Sequence, residues 1–534
     1  MGAGGVNLGM QRLLLCVCAS LASAAALALC ARMERAWLPL LFVALVPWLA
    51  ALDSMRSLGA ALGAALLLSL AFAACVFGWF PDAIVAYTGA PRGLAWLVLL
   101  LLAPVLEPQL FVFVLVRRLA SRAGPARSAS AGVLAWVGAE WALPKLFADS
   151  LGHGLLPAPW LRQAADLAGV GGLTLVVLLV NEAVLAALRA LWTSRRPHAA
   201  LAPAGLAALL VGALALYGAF RLRALEAEIA RAPRVTAGIV QADIARYGQL
   251  ARELGSGGAV ASILEAHFAL SHEALAQRPL DLLLWPETVY PTTFGAPKSP
   301  DGAAFDRALG AFVRQTGIPL VFGAYDAEGA SEYNAAILLE PDGPERVRFA
   351  AYRKAALFPL TERVPAWLDS PALRRRLPWL GSWSPPDAGS HTLPLALGGR
   401  GVRVAPLICY DALDPALVRS ALREGAELIV TLSNDSWFAY GAGPRLHLAM
   451  AAFRSLESRR SQLRATPTGV SAVVLPTGEI AVQLDVHAHD ALVASVPLLS
   501  GPPGPFARFG DWLGPVAALC AATSILWTPR RTTR

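Results

Sequence analysis

Seven apolar stretches occupy the first part of the chain and one more lies near its end, with a segment of mixed polarity between them. A helix rises about 1.5 Å per residue, so about twenty apolar residues cross the ~30 Å of hydrocarbon in a bilayer. The stretches run Leu13 to Ala31, Ala36 to Leu52, Leu58 to Phe80, Leu94 to Val116, Ala129 to Leu146, Asp166 to Leu191, Leu201 to Phe220 and finally Trp512 to Trp527. Each predicts a membrane span. Glu140 and Lys145 interrupt the fifth, and a reentrant segment would look the same. The first has the layout of a signal peptide, but with so many apolar stretches behind it a retained span is the simpler reading.

Short loops rich in arginine stay on the cytoplasmic side of a membrane. Arg117, Arg118, Arg122 and Arg127 follow the fourth stretch, Arg189, Arg195 and Arg196 gather at the end of the sixth, and Arg530, Arg531 and Arg534 follow the eighth. These are the even-numbered exits. The pattern therefore predicts a cytoplasmic N-terminus and an outer-face polar segment, which in a bacterium means the periplasmic face of the inner membrane. The expected organisation is an N-terminal membrane domain over residues 1–225 with about seven transmembrane helices, an extracytoplasmic domain over 234–500, and a C-terminal transmembrane helix over 511–528.

From Arg234 the period changes. Short β-branched runs predict strands at Val235–Gln241, Asp281–Trp285, Ile318–Ala324, Asn334–Leu339, Val347–Ala350, Val402–Ile408, Leu428–Leu432, Gln462–Ala465, Ser471–Leu475 and Leu492–Val496. Amphipathic stretches predict helices at Val260–Ala276, Ala303–Thr316, Pro415–Arg423 and Arg445–Arg460, and Gly255 to Gly258 reads as a flexible turn. Strands alternating with helices imply an α/β domain whose sheets are covered by helices. A longer loop rich in proline, Thr361 to Pro386, interrupts the alternation.

Composition agrees with a chain partly embedded in lipid, since 56% of residues are hydrophobic and 15% charged. The formal net charge of +8 raises nucleic acid as a partner, but the arginines sit at the ends of apolar stretches and form no basic stripe, so none is expected. Glu107, Glu140 and Glu182 fall inside spans, where carboxylates often mark transport pathways. Scattered and without basic partners, they make a poor pathway. Cys16, Cys18, Cys30, Cys75 and Cys520 lie in apolar stretches, where a thiol serves as a small hydrophobe. Cys409 alone belongs to the polar segment.

That thiol ends an apolar run, Leu407-Ile408-Cys409, and is followed by Tyr410 and Asp411. Asp414-Pro415 then supplies an N-cap and a first helical position. A thiol beside the positive end of that helix, with a lysine nearby, is expected to favour the thiolate. Glu287 closes another apolar run, Leu284-Trp285-Pro286-Glu287, and Lys354 in Tyr352-Arg353-Lys354 leads into the proline-rich loop. A thiol, a carboxylate and an amine suffice for acyl transfer as nucleophile, general base and oxyanion partner.

Trp285-Pro286-Glu287, Tyr352-Arg353-Lys354 and Ile408-Cys409-Tyr410-Asp411, in this order, resemble the Glu-Lys-Cys triad of the nitrilase superfamily of carbon-nitrogen hydrolases. Ser433-Asn434-Asp435-Ser436-Trp437-Phe438 and the segment from Leu463-Arg464-Ala465-Thr466 to Gly478-Glu479 extend the likeness. With seven spans before the domain and one after, the layout resembles the apolipoprotein N-acyltransferase family. The resemblance implies an α-β-β-α sandwich beside the helical membrane domain, and a ping-pong reaction without metal or nucleotide. A phospholipid would donate the acyl chain and a diacylated prolipoprotein would accept it, with the enzyme acting as a monomer. Glu287 would be the base, Cys409 the nucleophile and Lys354 the oxyanion partner, helped by backbone at Tyr410. Glu362 would support the lysine, Trp437 would line the acyl site, and Asn334 and Asn434 would be supporting polar residues.

The chain departs from the family pattern at Asp411, where glutamate is common, and at Pro359-Leu360-Thr361-Glu362, where Pro-Phe-Gly-Glu is common. Val240-Gln241-Ala242-Asp243 stands where Gln-Gly-Asn is usual. These departures point to the acceptor side as the place of any difference. The rival readings are a membrane-anchored amidohydrolase of nitrilase type and a divergent paralogue that acylates another amine.

Overall fold

The computed structural model describes residues 3–193, 197–244, 247–387, 389–397, 399–438 and 441–526. Arg195, Arg196, Trp527, Arg530, Arg531 and Arg534, used above for topology, lie outside the described residues.

The strands, in chain order, are β1 (Arg234–Ala242), β2 (Leu282–Leu284), β3 (Leu320–Glu328), β4 (Ser331–Asp342), β5 (Arg346–Arg353), β6 (Leu393–Leu397), β7 (Arg400–Ile408), β8 (Leu428–Leu432), β9 (Ser461–Ala465), β10 (Ala472–Val474), β11 (Ile480–Gln483) and β12 (His489–Pro497). They form two six-stranded sheets, ordered β12-β1-β2-β3-β4-β5 and β11-β10-β9-β8-β7-β6. The central strands β1, β2 and β3 of one sheet and β7, β8 and β9 of the other run parallel. Parallel strands are buried on both faces, which is why these segments read as nearly unbroken apolar runs.

Strand β7 shows how the layers are made. Val404 and Ile408 point toward the other sheet and pack in one cluster with Ile239 and Leu284, whereas Ala405 and Leu407 face the helix Pro415–Arg423. The alternation follows from the period-two geometry of a strand. Helices Tyr247–Gln277 and Pro300–Thr316 cover the outer face of the first sheet. The result is the expected α-β-β-α sandwich. Gly255, expected in a turn, breaks the first of these helices with φ +74°. Two strands escaped the sequence reading, β6 and β11, because both are short sheet edges and β6 carries Pro394.

Five helices are long and apolar enough to cross a membrane: Met10–Cys30, Arg35–Ser54, Leu58–Val76, Arg162–Trp192 and His198–Arg231. The expected fourth span is a broken pair, Arg92–Leu106 and Pro108–Ala123, bent by 44° beside Glu107 and Pro108. A proline there removes a helical hydrogen bond and clashes with the preceding turn. The expected third span ends at Val76, and Phe80 instead opens a short helix, Phe80–Thr88. The fifth is the 18-residue helix Pro125–Ala142, followed by extended chain to Ser150, and the described part of the eighth, Leu513–Leu526, has 14 residues. Neither reaches spanning length and apolarity by itself, and they lie against each other: a Cβ on Gly138 would come within 2.7 Å of Ala518 Cα.

The span carboxylates were expected to lack basic partners, and two of them have one. Glu182 pairs with Arg117, which also bonds Asp53, and Glu107 lies 3.5 Å from Lys145. Glu140 accepts from Trp136 Nε1 at 3.0 Å and Ser150 Oγ at 2.8 Å. Burial in hydrocarbon makes such pairing nearly obligatory.

The two domains share a core. Helix Gly443–Ser458 is buried at every position except Arg445, with Leu448, Phe453 and Leu456 packed among Trp48, Leu155 and Val177 of the membrane domain. Arg459 fastens the joint, with NH2 2.8 Å from both Gln163 O and Asp166 Oδ2.

Candidate active site

Three strand ends deliver the candidate triad. Glu287 follows β2, where Gly323 of the neighbouring β3 donates its N–H to Pro286 O at 3.0 Å. A Cβ at Gly323 would fall 2.4 Å from Thr288 N and 2.6 Å from Glu287 Cα, so only glycine lets the Glu287 turn lie this close to the sheet. Lys354 follows β5, with its N–H on Asn334 O at 2.8 Å. Cys409 follows β7 and takes φ +48°, a left-handed conformation that aims the thiol off the sheet at some steric cost.

The polar groups interlock. Lys354 Nζ donates to Glu362 Oε1 at 2.7 Å and to Glu287 Oε1 at 3.2 Å, and Asn334 Nδ2 donates to the same Glu287 oxygen at 2.7 Å. Glu362 is itself held by Phe358 N–H on Oε2 at 2.7 Å. Glu287 Oε2 is buried and has no partner among the described residues. One oxygen of this carboxylate is thus anchored and the other is free.

Burial opposes the charge on Lys354, but Glu287 and Glu362 outweigh it and hold its pKa well above the ordinary lysine value. Burial pushes the Cys409 thiol far above its ordinary value, Glu287 adds to the rise, and Lys354 only partly offsets them. The expected resting thiolate is therefore corrected. Asp414 does cap the helix at Pro415 as foreseen, its Oδ1 accepting from Ala416 N–H at 2.8 Å. Desolvation is the larger effect, so the resting thiol is neutral and requires a base.

Asp411, the departure expected to bear on the acceptor side, lies fully buried in the scaffold. It accepts from Ala356 N at 2.6 Å, Ala355 N at 3.2 Å, Ile408 N at 3.0 Å and Tyr352 OH at 3.0 Å, clamping the cysteine turn to the chain that carries Lys354. Burial pushes its carboxyl up to about 7 despite the opposing pull of Lys354 and these donors. Asn434 accepts from Ser436 N at 3.2 Å and Ser436 Oγ at 2.6 Å, shaping its own turn. Tyr410 and Trp437 both pack edge-on against Phe358.

A cavity of about 40 Å³ opens at Cys409, walled by Tyr410, Trp437 and Phe438 from the sandwich and by Phe77, Trp79 and Phe147 from the membrane domain. Its lining is aromatic and aliphatic almost throughout.

Three further residues meet behind the thiol without having been singled out. Asp435 accepts from Arg464 at 2.9 Å and lies 3.1 Å from His447 Nδ1, while His447 Nε2 is 3.3 Å from Cys409 O. Asp435 and Arg464 stood inside the segments that carry the resemblance. An arginine in the middle of an otherwise buried strand is the signal that called for a carboxylate partner. His447 gave none, because on a helix read as amphipathic it passes for a surface residue.

Residues 235–500 match the carbon-nitrogen hydrolase family, and residues 24–183 match the apolipoprotein N-acyltransferase N-terminal domain. The chain is 30% identical over 427 residues to the apolipoprotein N-acyltransferase 2 of Treponema pallidum, covering 73% of this chain and 71% of that one. It is 30% identical over 364 residues to the apolipoprotein N-acyltransferase of Caulobacter vibrioides, covering 65% of this chain and 63% of that one. With the Bdellovibrio bacteriovorus enzyme of the same name it shares 29% over 388 residues, covering 69% and 67%. The two matched regions lie on the membrane domain and on the sandwich, and the relatives align across most of the chain. The chain belongs to the apolipoprotein N-acyltransferase family.

Proposed function

We propose that the protein moves an acyl chain from a membrane phospholipid, through a thioester on Cys409, to the α-amine of the N-terminal diacylglyceryl-cysteine of an apolipoprotein. The sandwich lies on the periplasmic face of a bacterial inner membrane in this reading, as the arginines at Arg117, Arg118 and Arg189 favour. Residues 1–225 and 511–528 hold it to the lipid.

Glu287 Oε2 takes the thiol proton, and the thiolate attacks the ester carbonyl carbon of the lipid. The developing oxyanion is met by Lys354 and by backbone N–H at Tyr410. The C–O bond breaks, Glu287 returns the proton to the departing lysophospholipid oxygen, and the thioester remains. In the second half the neutral amine attacks the thioester carbon, Glu287 takes one of its protons, the C–S bond breaks, and that proton restores the thiol. Asn334 and Glu362 keep Glu287 and Lys354 in register. Asp411 holds the turn, and Trp437 lines the chain's path. A buried neutral thiol suits this cycle, since the base acts only when an ester carbonyl is present.

The observation that carries this reading is the cavity at Cys409. Three of its seven Phe, Tyr and Trp side chains come from the membrane domain, which favours a lipid route to the thiol that avoids water. Purified protein in vesicles, given labelled phospholipid and a diacylated lipopeptide, is expected to yield triacylated peptide and lysophospholipid. Free fatty acid without triacylated product would replace this reading by the amidohydrolase type of reaction.

A further inference from the structure

We propose that His447 is a positioning residue, which aims the Tyr410 N–H at the oxyanion by holding the other side of the same peptide plane. The inference rests on the acyl-transfer reading above but concerns how the oxyanion site is built.

The Cys409 carbonyl and the Tyr410 N–H belong to one planar peptide unit, and no described peptide bond is cis. In a trans peptide the two groups point in opposite directions. Whatever grips the carbonyl therefore sets where the N–H points. His447 Nε2 lies 3.3 Å from Cys409 O, and its ring also lines the cavity that holds the thiol.

The neighbours of His447 decide which ring nitrogen carries the proton. Its Nδ1 lies 3.1 Å from both Arg464 NH2 and Asp435 Oδ1. If Nδ1 accepts from Arg464, the proton of the neutral ring is on Nε2. If Nδ1 donates to Asp435 in the imidazolium, Nε2 is protonated as well. Both place an N–H opposite the Cys409 carbonyl, whereas a neutral ring protonated only on Nδ1 would set the bare Nε2 lone pair against that oxygen at 3.3 Å, a repulsive contact. Asp435 is fixed in turn by Arg464 and by Ser433 Oγ at 2.7 Å, and all four side chains are buried.

The grip also supports a strained turn, since Cys409 sits at φ +48°, a sparsely populated conformation that its surroundings must hold in place. Tyr410 also lies in the first turn of the short helical segment Cys409–Leu413, whose leading N–H groups have no acceptor within the turn. A peptide plane free to tilt would scatter the one backbone donor closest to the nucleophile.

The test compares reactions of Cys409 that form an oxyanion with one that does not, in the full chain in phosphatidylethanolamine and phosphatidylglycerol vesicles. Iodoacetamide alkylates the sulfur by displacing iodide and builds no oxyanion. Thioester formation from the vesicle lipids, and from p-nitrophenyl butyrate, does build one. For His447→Leu, alkylation is expected within about twofold of wild type and both acylations are expected to fall about 10²-fold. His447→Gln, whose amide N–H can reach the carbonyl, is expected to recover at least about tenfold of that loss. Equal losses in alkylation and acylation, or no loss in either, would overturn the proposal. Melting temperatures of both variants exclude simple unfolding. Acylation of the wild type by the nitrophenyl ester but not by lipid would sink the phospholipid-donor reading while leaving the role of His447 tested.

Discussion

Tyr410 donates its hydroxyl hydrogen to the carbonyl of Leu146 at 2.7 Å, so the residue next to the proposed nucleophile is tied to a loop of the membrane domain. The bond links the cysteine turn to the aromatic wall at Phe147. Burial pushes the phenol up to about 12, and it stays a donor throughout the working pH range. Tyr410→Phe is expected to cost about 1 kcal/mol of stability. It should also slow acylation of Cys409 by phospholipid several-fold while leaving acylation by p-nitrophenyl butyrate nearly unchanged. Equal slowing of both, followed by mass spectrometry of the Cys409 peptide, would show that the bond serves the chemistry and not the lipid path.

The free oxygen of Glu287 fits its proposed role as the proton acceptor. Glu287→Gln keeps the shape and the anchoring contacts to Asn334 and Lys354 but cannot accept the thiol proton. Thioester formation is expected to drop about 10²–10⁴-fold. The loss should be partly relieved at high pH, where the thiol ionises unaided. A variant with wild-type burst amplitude in a single-turnover experiment would remove Glu287 from this role.

Gly323 bears on catalysis without touching substrate. Gly323→Ala puts a methyl group where Thr288 N and Glu287 Cα now lie, 2.4 and 2.6 Å away. The Glu287 turn must move off the sheet. An overpacking cost of about 1–3 kcal/mol is expected, along with a fall in kcat greater than any change in KM, measured by steady-state transfer to a lipopeptide.

Asp435 predicts an acid limit. Burial would raise its pKa, but Arg464 first, then His447 and Ser433, hold it well below the ordinary carboxylate range. The folded pKa thus lies under the unfolded value of about 3.9, so the ion pair's contribution is complete above about pH 4 and is lost as pH falls toward the folded value. Asp435→Asn leaves Arg464 buried without its counter-charge and is expected to cost about 3–5 kcal/mol at neutral pH. In denaturation measured from about pH 8 downward, the gap between wild type and variant should stay constant to about pH 4 and narrow below it. A gap that widens in acid contradicts this assignment.

Much of the molecule is legible in the residue order because its signals are local. Apolar runs such as Leu428–Leu432 mark a strand buried on both faces, and Asp414-Pro415 marks the start of a helix, each within one residue of where the structure puts it. Edge strands such as β6 are less legible because half their residues face solvent and their pairing is decided elsewhere. Five of the eight apolar stretches match helices long and apolar enough to span, but the break at Glu107 was not readable, since its partner Lys145 lies on a different segment.

The residue order by itself determined the two-part organisation, the sandwich strands other than β6 and β11, and the identity of Glu287, Lys354 and Cys409 as candidates, because apolar periodicity and short motifs are properties of neighbouring residues. Only the tertiary structure decided that burial raises the pKa of the thiol, that Asp411 clamps the turn, and that His447 reaches the Cys409 carbonyl. Each of these depends on burial and on charges brought together from distant segments, and both desolvation and Coulomb interactions are set by distance in space, not by separation along the chain.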